Sequence, residues 1–174
     1  FSEFDDLRGD MYEETILFLT DLFQHDRSLV SLLDADHTFV NQPLAEFYGI
    51  AGVEGGAWRR VEGIRGYGRG GILGLSTTLA QQSGATRTSP ILRGNWVSEV
   101  LLGERLPRPP KNVPQLAEAV PEGLSERQLF ELHTSDSACA KCHQRIDPFG
   151  FALERFDAIG RHRDNDLVGR PIDT

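Results

Sequence analysis

The sequence predicts a mainly α fold, a helical domain with long irregular loops and a proline-rich arm. Apolar residues recur at helical spacing in several separate stretches, glycines gather between residues 49 and 74, and prolines gather between residues 107 and 114. The 174 residues are enough for one compact domain or two small ones. A hydrophobic share of 39% suits a soluble globular protein, so the chain should bury a core.

The first helix is expected near the start of the chain. One apolar stripe with helical spacing consists of Leu7, Met11, Thr15, Phe18 and Leu22. A second stripe beside it consists of Tyr12, Ile16, Leu19 and Phe23. Because the combined stripe is wide, this helix is expected to be well buried.

Two short capped helices are expected next. Asp26 can cap a helix that runs to Leu33. Asn41 can cap another helix, which has Pro43 in its first turn and stops at Gly49. Both predictions depend on side chains that accept hydrogen bonds from the first free backbone amides of a helix.

The middle of the chain changes from loop back to helix. Residues 49–74 lack helical spacing and predict loops with a short hairpin. Helix is expected again over 72–82, and Pro90 opens a further helix that ends at Gly103. The apolar residues on one face of that helix are Leu92, Trp96, Val100 and Leu101.

An extended arm and one more helix complete the predicted elements. Ser125 and Gln128 form a capping box for a helix through Leu132. The arm precedes it, because proline removes backbone donors and fixes an extended backbone. The prolines of the arm are Pro107, Pro109, Pro110 and Pro114.

The chain's only two cysteines lie in one short motif, Cys139-Ala140-Lys141-Cys142-His143. A C-x-x-C-H motif is the attachment signature of c-type haem. The two thiols form thioethers with the haem vinyl groups, and the adjacent histidine supplies its imidazole to the iron. We therefore expect one covalent haem c, bound through Cys139 and Cys142, with His143 as the proximal iron ligand.

Other interpretations of the two cysteines fit less of the motif. A dithiol redox pair would follow a thioredoxin-like strand–helix unit, and no such pattern precedes Cys139. A structural zinc site needs four ligands, and the chain has neither a second C-x-x-C nor an H-x-x-x-H. A disulfide between Cys139 and Cys142 would leave His143 unexplained.

Charge and hydropathy limit the partners. The formal net charge is −8 and the isoelectric point about 5.1, which argues against nucleic acid or an anionic membrane as a partner. No segment approaches the ~18 apolar residues of a membrane span. The chain begins with Phe1 and shows no signal peptide, so we expect a processed piece of a longer polypeptide.

Two groups of motifs together resemble a known family. The first group is Leu7-Arg8-x-x-Met11-x-x-Glu14-Thr15, Asp26-Arg27-Ser28, Thr38-Phe39-Val40-Asn41 and Tyr48-Gly49-Ile50. The second is Arg87-Thr88-Ser89-Pro90-Ile91-Leu92-Arg93-Gly94, the proline arm, the C-x-x-C-H motif, Arg145-Ile146-Asp147-Pro148-Phe149-Gly150-Phe151-Ala152-Leu153-Glu154 and Phe156-Asp157-Ala158-Ile159-Gly160. They resemble the cytochrome-c-like multidomain proteins first catalogued in planctomycetes and also found in myxobacteria.

The resemblance implies a domain organisation but no known activity. It implies that residues 1–74 are a helical region ending one family domain, and that residues 75–174 are a c-type haem-binding domain. Further domains would precede and follow this chain. The family's domains are named only as domains of unknown function, so its activity is largely unassigned.

The sixth iron ligand is left open by the sequence. Met11, the only methionine, matches a methionine of the family pattern, but on the first helix it could equally be core packing. His133 also matches the pattern and lies ten residues before His143. It could ligate the iron or serve only as a helix-terminal histidine. An open iron is the third alternative. The remaining histidines are expected at the surface, namely His25, His37 and His162.

Three arginines could bind a haem propionate, because guanidinium matches carboxylate bidentately. They are Arg87, Arg93 and Arg145, and the alternative for each is a structural ion pair or an exposed side chain. Asp147-Pro148 is expected to turn the chain after the motif. The turn would direct apolar residues to the haem, namely Phe149, Phe151, Leu153 and Phe156.

The function we expect from these residues is electron transfer by a single covalent haem, in a module of a larger extracytoplasmic protein. Covalent haem attachment takes place outside the cytoplasm, which predicts a periplasmic or cell-surface location. The redox partner is not specified by the sequence. The alternatives are a haem enzyme, such as a peroxidase or oxygenase with an open distal site, and a structural subunit of a cytochrome assembly.

Overall fold

A computed structural model describes residues 1–107, 120–135, 137–166 and 169–174, without the side chains of residues 137 and 138. The fold is mainly α, as predicted, and it also contains one small two-stranded sheet. Pro109, Pro110 and Pro114 of the proline-rich arm lie outside the described residues. The α-helices of the described residues are α1 (Glu3–Gln24), α2 (Ser31–Asp34), α3 (Gln42–Tyr48), α4 (Ser76–Gln81), α5 (Pro90–Trp96), α6 (Glu126–Thr134) and α7 (Ser137–Ala152). The strands are β1 (His37–Val40) and β2 (Arg59–Glu62).

The chain forms two compact units. Unit 1 consists of residues 1–87 and 156–162, and unit 2 consists of residues 88–155 and 163–174. Each unit is therefore built from two separate stretches of sequence.

The core of unit 1 forms on one side of α1. Helix α3, helix α4 and strand β1 all pack against α1. The buried apolar residues of α1 are Leu7, Met11, Phe18 and Leu22. The second predicted stripe is not well buried: Tyr12 is 60% exposed, Ile16 39% and Phe23 71%. The expectation that the wide stripe makes this helix well buried was wrong for the second stripe, because the packing elements cover only one face of α1.

The sheet of unit 1 joins segments that are distant in sequence. β1 and β2 pair antiparallel, with His37 opposite Glu62 and Val40 opposite Arg59. The predicted hairpin within residues 49–74 was wrong, since β2 finds its partner upstream of that stretch. His37 is also buried, contrary to the surface expectation. Its Nε2 lies 3.2 Å from the buried carboxylate of Asp21, which gives the imidazole a polar partner inside the protein.

Capping residues set the bounds of the short helices. The side chain of Asn41 accepts from the amide of Leu44, and Gly49 ends α3 in the left-handed conformation with φ 74°. Both were predicted. The predicted start at Asp26 was wrong, because α2 begins five residues later, at Ser31.

A buried polar network links the two sequence stretches of unit 1. Glu14 is 1% exposed and accepts hydrogen bonds from the hydroxyls of Thr38 and Tyr48. Arg69 stacks 3.6 Å from the centre of the Tyr48 ring and donates to the carbonyl of Gly160 at 2.6 Å. Buried polar groups need such partners, so the network fixes residues 156–162 in the core of unit 1.

In unit 2, α5 and α7 approach each other through two glycines. A β-carbon at Gly94 would overlap the carbonyl oxygen of Ile146, and one at Gly150 would overlap that of Pro90. The helix opened by Pro90 is α-helical to Trp96 and continues as a π-helical turn. The predicted apolar face is largely solvent-exposed at Leu92 (46%) and Val100 (61%). The buried face carries small residues and one ion-paired arginine, namely Pro90, Arg93, Gly94, Val97 and Ser98.

Helix α6 begins as predicted. Ser125 accepts from the amide of Gln128, whose side chain accepts from the amide of Ser125 in return. α6 packs on α7, where the rings of Phe130 and Phe151 meet edge to face with centres 6.1 Å apart.

The predicted turn at Asp147-Pro148 was wrong, because α7 continues through Pro148 to Ala152. Proline normally kinks or ends a helix. Here contacts on both sides of the proline hold the helix. Ile146 and Gly150 pack against α5, and Asp147 bonds to His143 one turn earlier.

Candidate functional site

Helix α7 places the three residues of the C-x-x-C-H motif on one face. Cys142 and His143 follow Cys139 by three and four positions, and residues at these spacings are neighbours on a helix surface. Both cysteines are partly exposed, and neither forms a disulfide. The two thiols and the imidazole can therefore reach one group from the same side of the helix.

The orientation of the His143 ring is set by Asp147. Nδ1 of His143 lies 2.8 Å from Oδ1 of Asp147, and the two side chains are only 12% and 15% exposed. A carboxylate only accepts hydrogen bonds, so Nδ1 of His143 is the donor, and in a neutral imidazole the lone pair then lies on Nε2. Burial raises the pKa of Asp147, while the hydrogen bond from His143 acts against that rise. His143 is thus held in the tautomer that a metal-bound histidine uses.

The structure brings His133 to His143. His133 lies in the last turn of α6, and its ring centre is 5.6 Å from that of His143, with the two ring planes at 78°. Burial lowers the pKa of His133, and the nearby His143 lowers it further. This lowering of the pKa favours the neutral imidazole, which is the form that binds metals.

A cavity of about 550 Å³ lies beside His143, within unit 2. Its size falls within the roughly 300–1,000 Å³ of ligand sites. Arg127 is its cation, and the guanidinium lies 4.8 Å from the centre of the Phe151 ring. The lining residues are Arg127, Thr134, Ala140, His143, Gln144, Asp147, Pro148, Phe151 and Thr174, and the two cysteines are not among them.

Two residues of this site were missed by the sequence reasoning. Asp147 was interpreted as part of a turn, although its spacing of four from His143 would place it on the same helix face. Arg127 lies at the start of the capped helix α6, and its place beside Phe151 depends on how α6 packs on α7. Only the first residue had a signal in the sequence.

The remaining predicted site residues are placed as follows. Met11 is 1% exposed in the core of unit 1. Arg93 is 1% exposed in unit 2, and its Nη1 donates to Oε1 of Glu154 at 3.2 Å. Arg145 pairs with Glu104 at 2.7 Å and is 54% exposed, while Arg87 is half-buried in unit 1. The propionate role of the three arginines stays a prediction. The residues packed with Met11 are Leu7, Val40, Leu44, Ala45, Tyr48, Ile50, Val53 and Ile64.

Comparison with protein families identifies the chain. Residues 69–166, more than half of the 174, match the family model PSCyt3, described as a protein of unknown function (DUF1588). The chain belongs to this family. Residues 1–50 of this PSCyt3 chain also match the model PSD4, again described as a protein of unknown function (DUF1592). No curated protein and no solved structure matches the chain.

These matches confirm part of the predicted resemblance. Two models of families of unknown function match the chain in succession, and the name PSCyt3 suggests a cytochrome-like domain. Within the described part of this PSCyt3 chain, no helix is long and apolar enough to cross a membrane. The same residues contain no group of three or more His, Cys, Asp or Glu side chains that could hold a metal ion.

Proposed function

We propose that unit 2 binds one c-type haem covalently and that the protein transfers electrons. In this proposal Cys139 and Cys142 would form the thioethers, while His143 and His133 would supply ligands to the iron. The observation that carries the proposal is the placement of both thiols and His143 on one face of α7, with the His133 ring beside His143.

The donor set fits a c-type haem. Both thiols are partly exposed, so they can react, and Nδ1 of His143 is already bonded to Asp147. A porphyrin supplies four ligands itself, so the iron needs only one or two from the protein. Cys139, Cys142 and His143 supply the attachment and the first of those ligands.

His133 is the better supported second ligand. The ring of His133 lies beside that of His143 in unit 2, with the two centres 5.6 Å apart, so a group held by His143 would also lie near His133. Met11 is packed in the hydrophobic core of unit 1, which supports the packing role that the sequence left open for it.

Two histidine ligands favour electron transfer over catalysis. Haem supplies a one-electron carrier when it is bound. If His143 and His133 both held the iron, no ligand position would be left for a substrate. The hydrogen bond to Asp147 would hold the His143 ring in one orientation. The haem-enzyme alternative would need His133 to leave the iron.

Covalent attachment supports an extracytoplasmic location, since haem is joined to C-x-x-C-H motifs outside the cytoplasm. We propose that the chain works in the periplasm or at the cell surface, as part of a larger protein with a separate redox partner. The succession of two family matches in one chain supports a multidomain protein.

The attachment is tested on the full chain, exported in a host that matures c-type cytochromes. The expected result is an intact mass, after acid–acetone extraction, that exceeds the polypeptide mass by one haem. Cys139→Ala should leave at most one thioether. A chain without covalent haem, or with zinc in its place, would overturn the proposal.

The ligation is tested by spectroscopy on matched variants. The wild type should be low-spin and six-coordinate and should not bind carbon monoxide. His133→Ala should open the iron to carbon monoxide, while Met11→Leu should leave the spectrum unchanged. If Met11→Leu opens the iron instead, Met11 is the ligand and the bis-histidine assignment is wrong. A wild type that is five-coordinate and binds carbon monoxide would favour a haem enzyme.

A further inference from the structure

The position of Asp147 indicates a role beyond the stabilisation of helix α7. Its carboxylate accepts a 2.8 Å hydrogen bond from Nδ1 of His143, and both side chains are largely shielded from water. Hydrogen bonds to an ionised group in such surroundings are about twice as strong as neutral ones. A backbone carbonyl could orient the imidazole ring equally well, but it would not place a full negative charge beside Nδ1 of His143.

Two further observations concern the surroundings of the Asp147 carboxylate, namely the partners of the nearby Arg127 and the packing of the backbone. Arg127 lines the same cavity, but its Nε donates to Glu131 at 3.0 Å and its Nη1 donates to the carbonyl of Asp173 at 3.1 Å. The backbone on either side of Asp147 is fixed by the close contact of Ile146 and Gly150 with α5. The position of the carboxylate therefore does not depend on a mobile loop.

We infer that Asp147 is a positioning residue that lowers the reduction potential of the iron by drawing the His143 proton toward its carboxylate. The inference rests on the proposed haem attachment at the same site. A histidine that donates to a carboxylate is a stronger electron donor to its metal. A stronger donor stabilises ferric iron more than ferrous iron, so the protein would act as a low-potential carrier whose electron donor must be of lower potential still.

Two haem-loaded variants that each lose one carboxylate charge separate this effect from general electrostatics. Asp147→Asn keeps the shape and an acceptor oxygen but loses the charge. Glu104→Gln is the matched control, because Glu104 also pairs with a residue of α7, Arg145, and does not contact His143. The measurements are the midpoint potential and the g values of the ferric protein in electron paramagnetic resonance.

Asp147→Asn should weaken the preference for ferric iron about tenfold, which raises the one-electron potential by about 59 mV. It should also change the g values, because these report the donor strength of the axial imidazole. Glu104→Gln should raise the potential by less than a third as much and leave the g values unchanged. Asp147→Glu, which keeps a carboxylate, should recover most of the wild-type potential.

Equal shifts in the two variants, or no shift in either, would overturn the inference while leaving haem attachment intact. Absence of haem mass from the wild type would instead overturn the proposed function. If Asp147→Asn does not accumulate, ¹⁵N chemical shifts of His143 in the full-length wild type without haem still decide. The Nδ1-protonated tautomer is expected, and the Nε2-protonated tautomer would contradict the role of Asp147.

Discussion

Two buried carboxylates, one in each unit, are satisfied in different ways. Glu14 of unit 1 accepts from the hydroxyls of Thr38 and Tyr48. Glu154 of unit 2 pairs with the guanidinium groups of Arg93 at 3.2 Å and Arg163 at 2.9 Å. Both glutamates are almost fully buried.

Because of this difference, loss of the negative charge affects the neighbouring arginine differently at the two glutamates. Burial raises the pKa of Glu14 to about 6, and Arg69 and the two hydroxyl groups act against that rise. If Glu14 becomes neutral, Arg69 keeps its bonds to the carbonyls of Gly160 and Gly74. Burial also raises the pKa of Glu154, but a neutral Glu154 would deprive the buried Arg93 of its carboxylate partner. Protonation of Glu14 therefore leaves Arg69 with its carbonyl partners, whereas protonation of Glu154 weakens its ion pairs with Arg93 and Arg163.

The largest effect is expected from Glu154→Gln. Removing one partner of a buried ion pair costs about 3–5 kcal/mol, so unit 2 should lose about 3 kcal/mol of unfolding free energy. The chain has two tryptophans, Trp58 in unit 1 and Trp96 in unit 2, so single-tryptophan variants can follow denaturant unfolding of each unit.

Glu131→Gln is the control for this prediction. Glu131 pairs with Arg127, but the two side chains are 55% and 34% exposed, so the loss should stay below about 1 kcal/mol. Equal losses in the two variants would show that the ion pair of Glu154 is no more important than a surface pair.

The second largest effect is expected from Gly150→Ala. The new methyl group would overlap the backbone carbonyl of Pro90 and force α5 away from α7. Overpacking of this kind costs about 1–3 kcal/mol, and a clash with backbone belongs at the upper end of that range. Thermal unfolding followed at Trp96 measures it, and an unchanged midpoint would contradict the close helix contact.

Glu14 should make unit 1 lose stability as the pH rises. Its folded-state pKa of about 6 exceeds the ordinary 4.5, so the stabilisation is fully present below pH 4.5 and is lost as the pH rises through 6. A shift of this size corresponds to about 2 kcal/mol. The variant Glu14→Gln has no charge to bury. Between acid and neutral pH, its unfolding free energy should therefore fall by about 2 kcal/mol less than that of the wild type.

Unfolding of unit 1 at a series of pH values, followed at Trp58, measures this difference. Comparing two proteins at each pH cancels the other titrating groups, including Asp21, whose pKa is lowered mainly by its bond with Arg27. Parallel pH profiles for wild type and variant would show that Glu14 does not titrate in this range.

The smallest effect, and one of opposite sign to Gly150→Ala, is expected from Gly9→Ala. Gly9 lies inside α1, and a β-carbon there would meet nothing within 4 Å. The substitution should therefore stabilise unit 1 by about 1 kcal/mol, the difference in helix propensity. Chemical denaturation followed at Trp58 checks the sign, and a loss of stability would indicate a contact on this face of α1.

Features that depend on nearby residues were predictable from the sequence. Three such features were confirmed, namely the cap of α3 at Asn41, its stop at Gly49 and the capping box at Ser125. Each depends only on residues within three or four positions. The pairing of β1 with β2 was not, because neither four-residue strand specifies its partner. Pro148 shows the same limit, since contacts with α5 override the local tendency of proline to end a helix.

The candidate site likewise contains residues that spacing could predict and residues that depend on helix packing. The C-x-x-C-H motif and the approach of His133 could be read from spacing, and Asp147 could have been, had α7 been expected to continue. Arg127 could not, because its position depends on how two helices pack. The exposed half of α1 was also unpredictable, since apolar spacing shows which faces could be buried but not which of them find a partner.

The division of unit 1 into residues 1–87 and 156–162 has a consequence for the order in which the protein is made. During synthesis the C-x-x-C-H motif emerges before the segment that completes unit 1. Until Phe156 and Gly160 have been made, Arg69 can contact Tyr48 and Gly74 but lacks the Phe156 ring and the Gly160 carbonyl that it also contacts in the finished protein. Residues 1–87 of unit 1 are thus made before the C-x-x-C-H motif, but unit 1 can be completed only after that motif has been made.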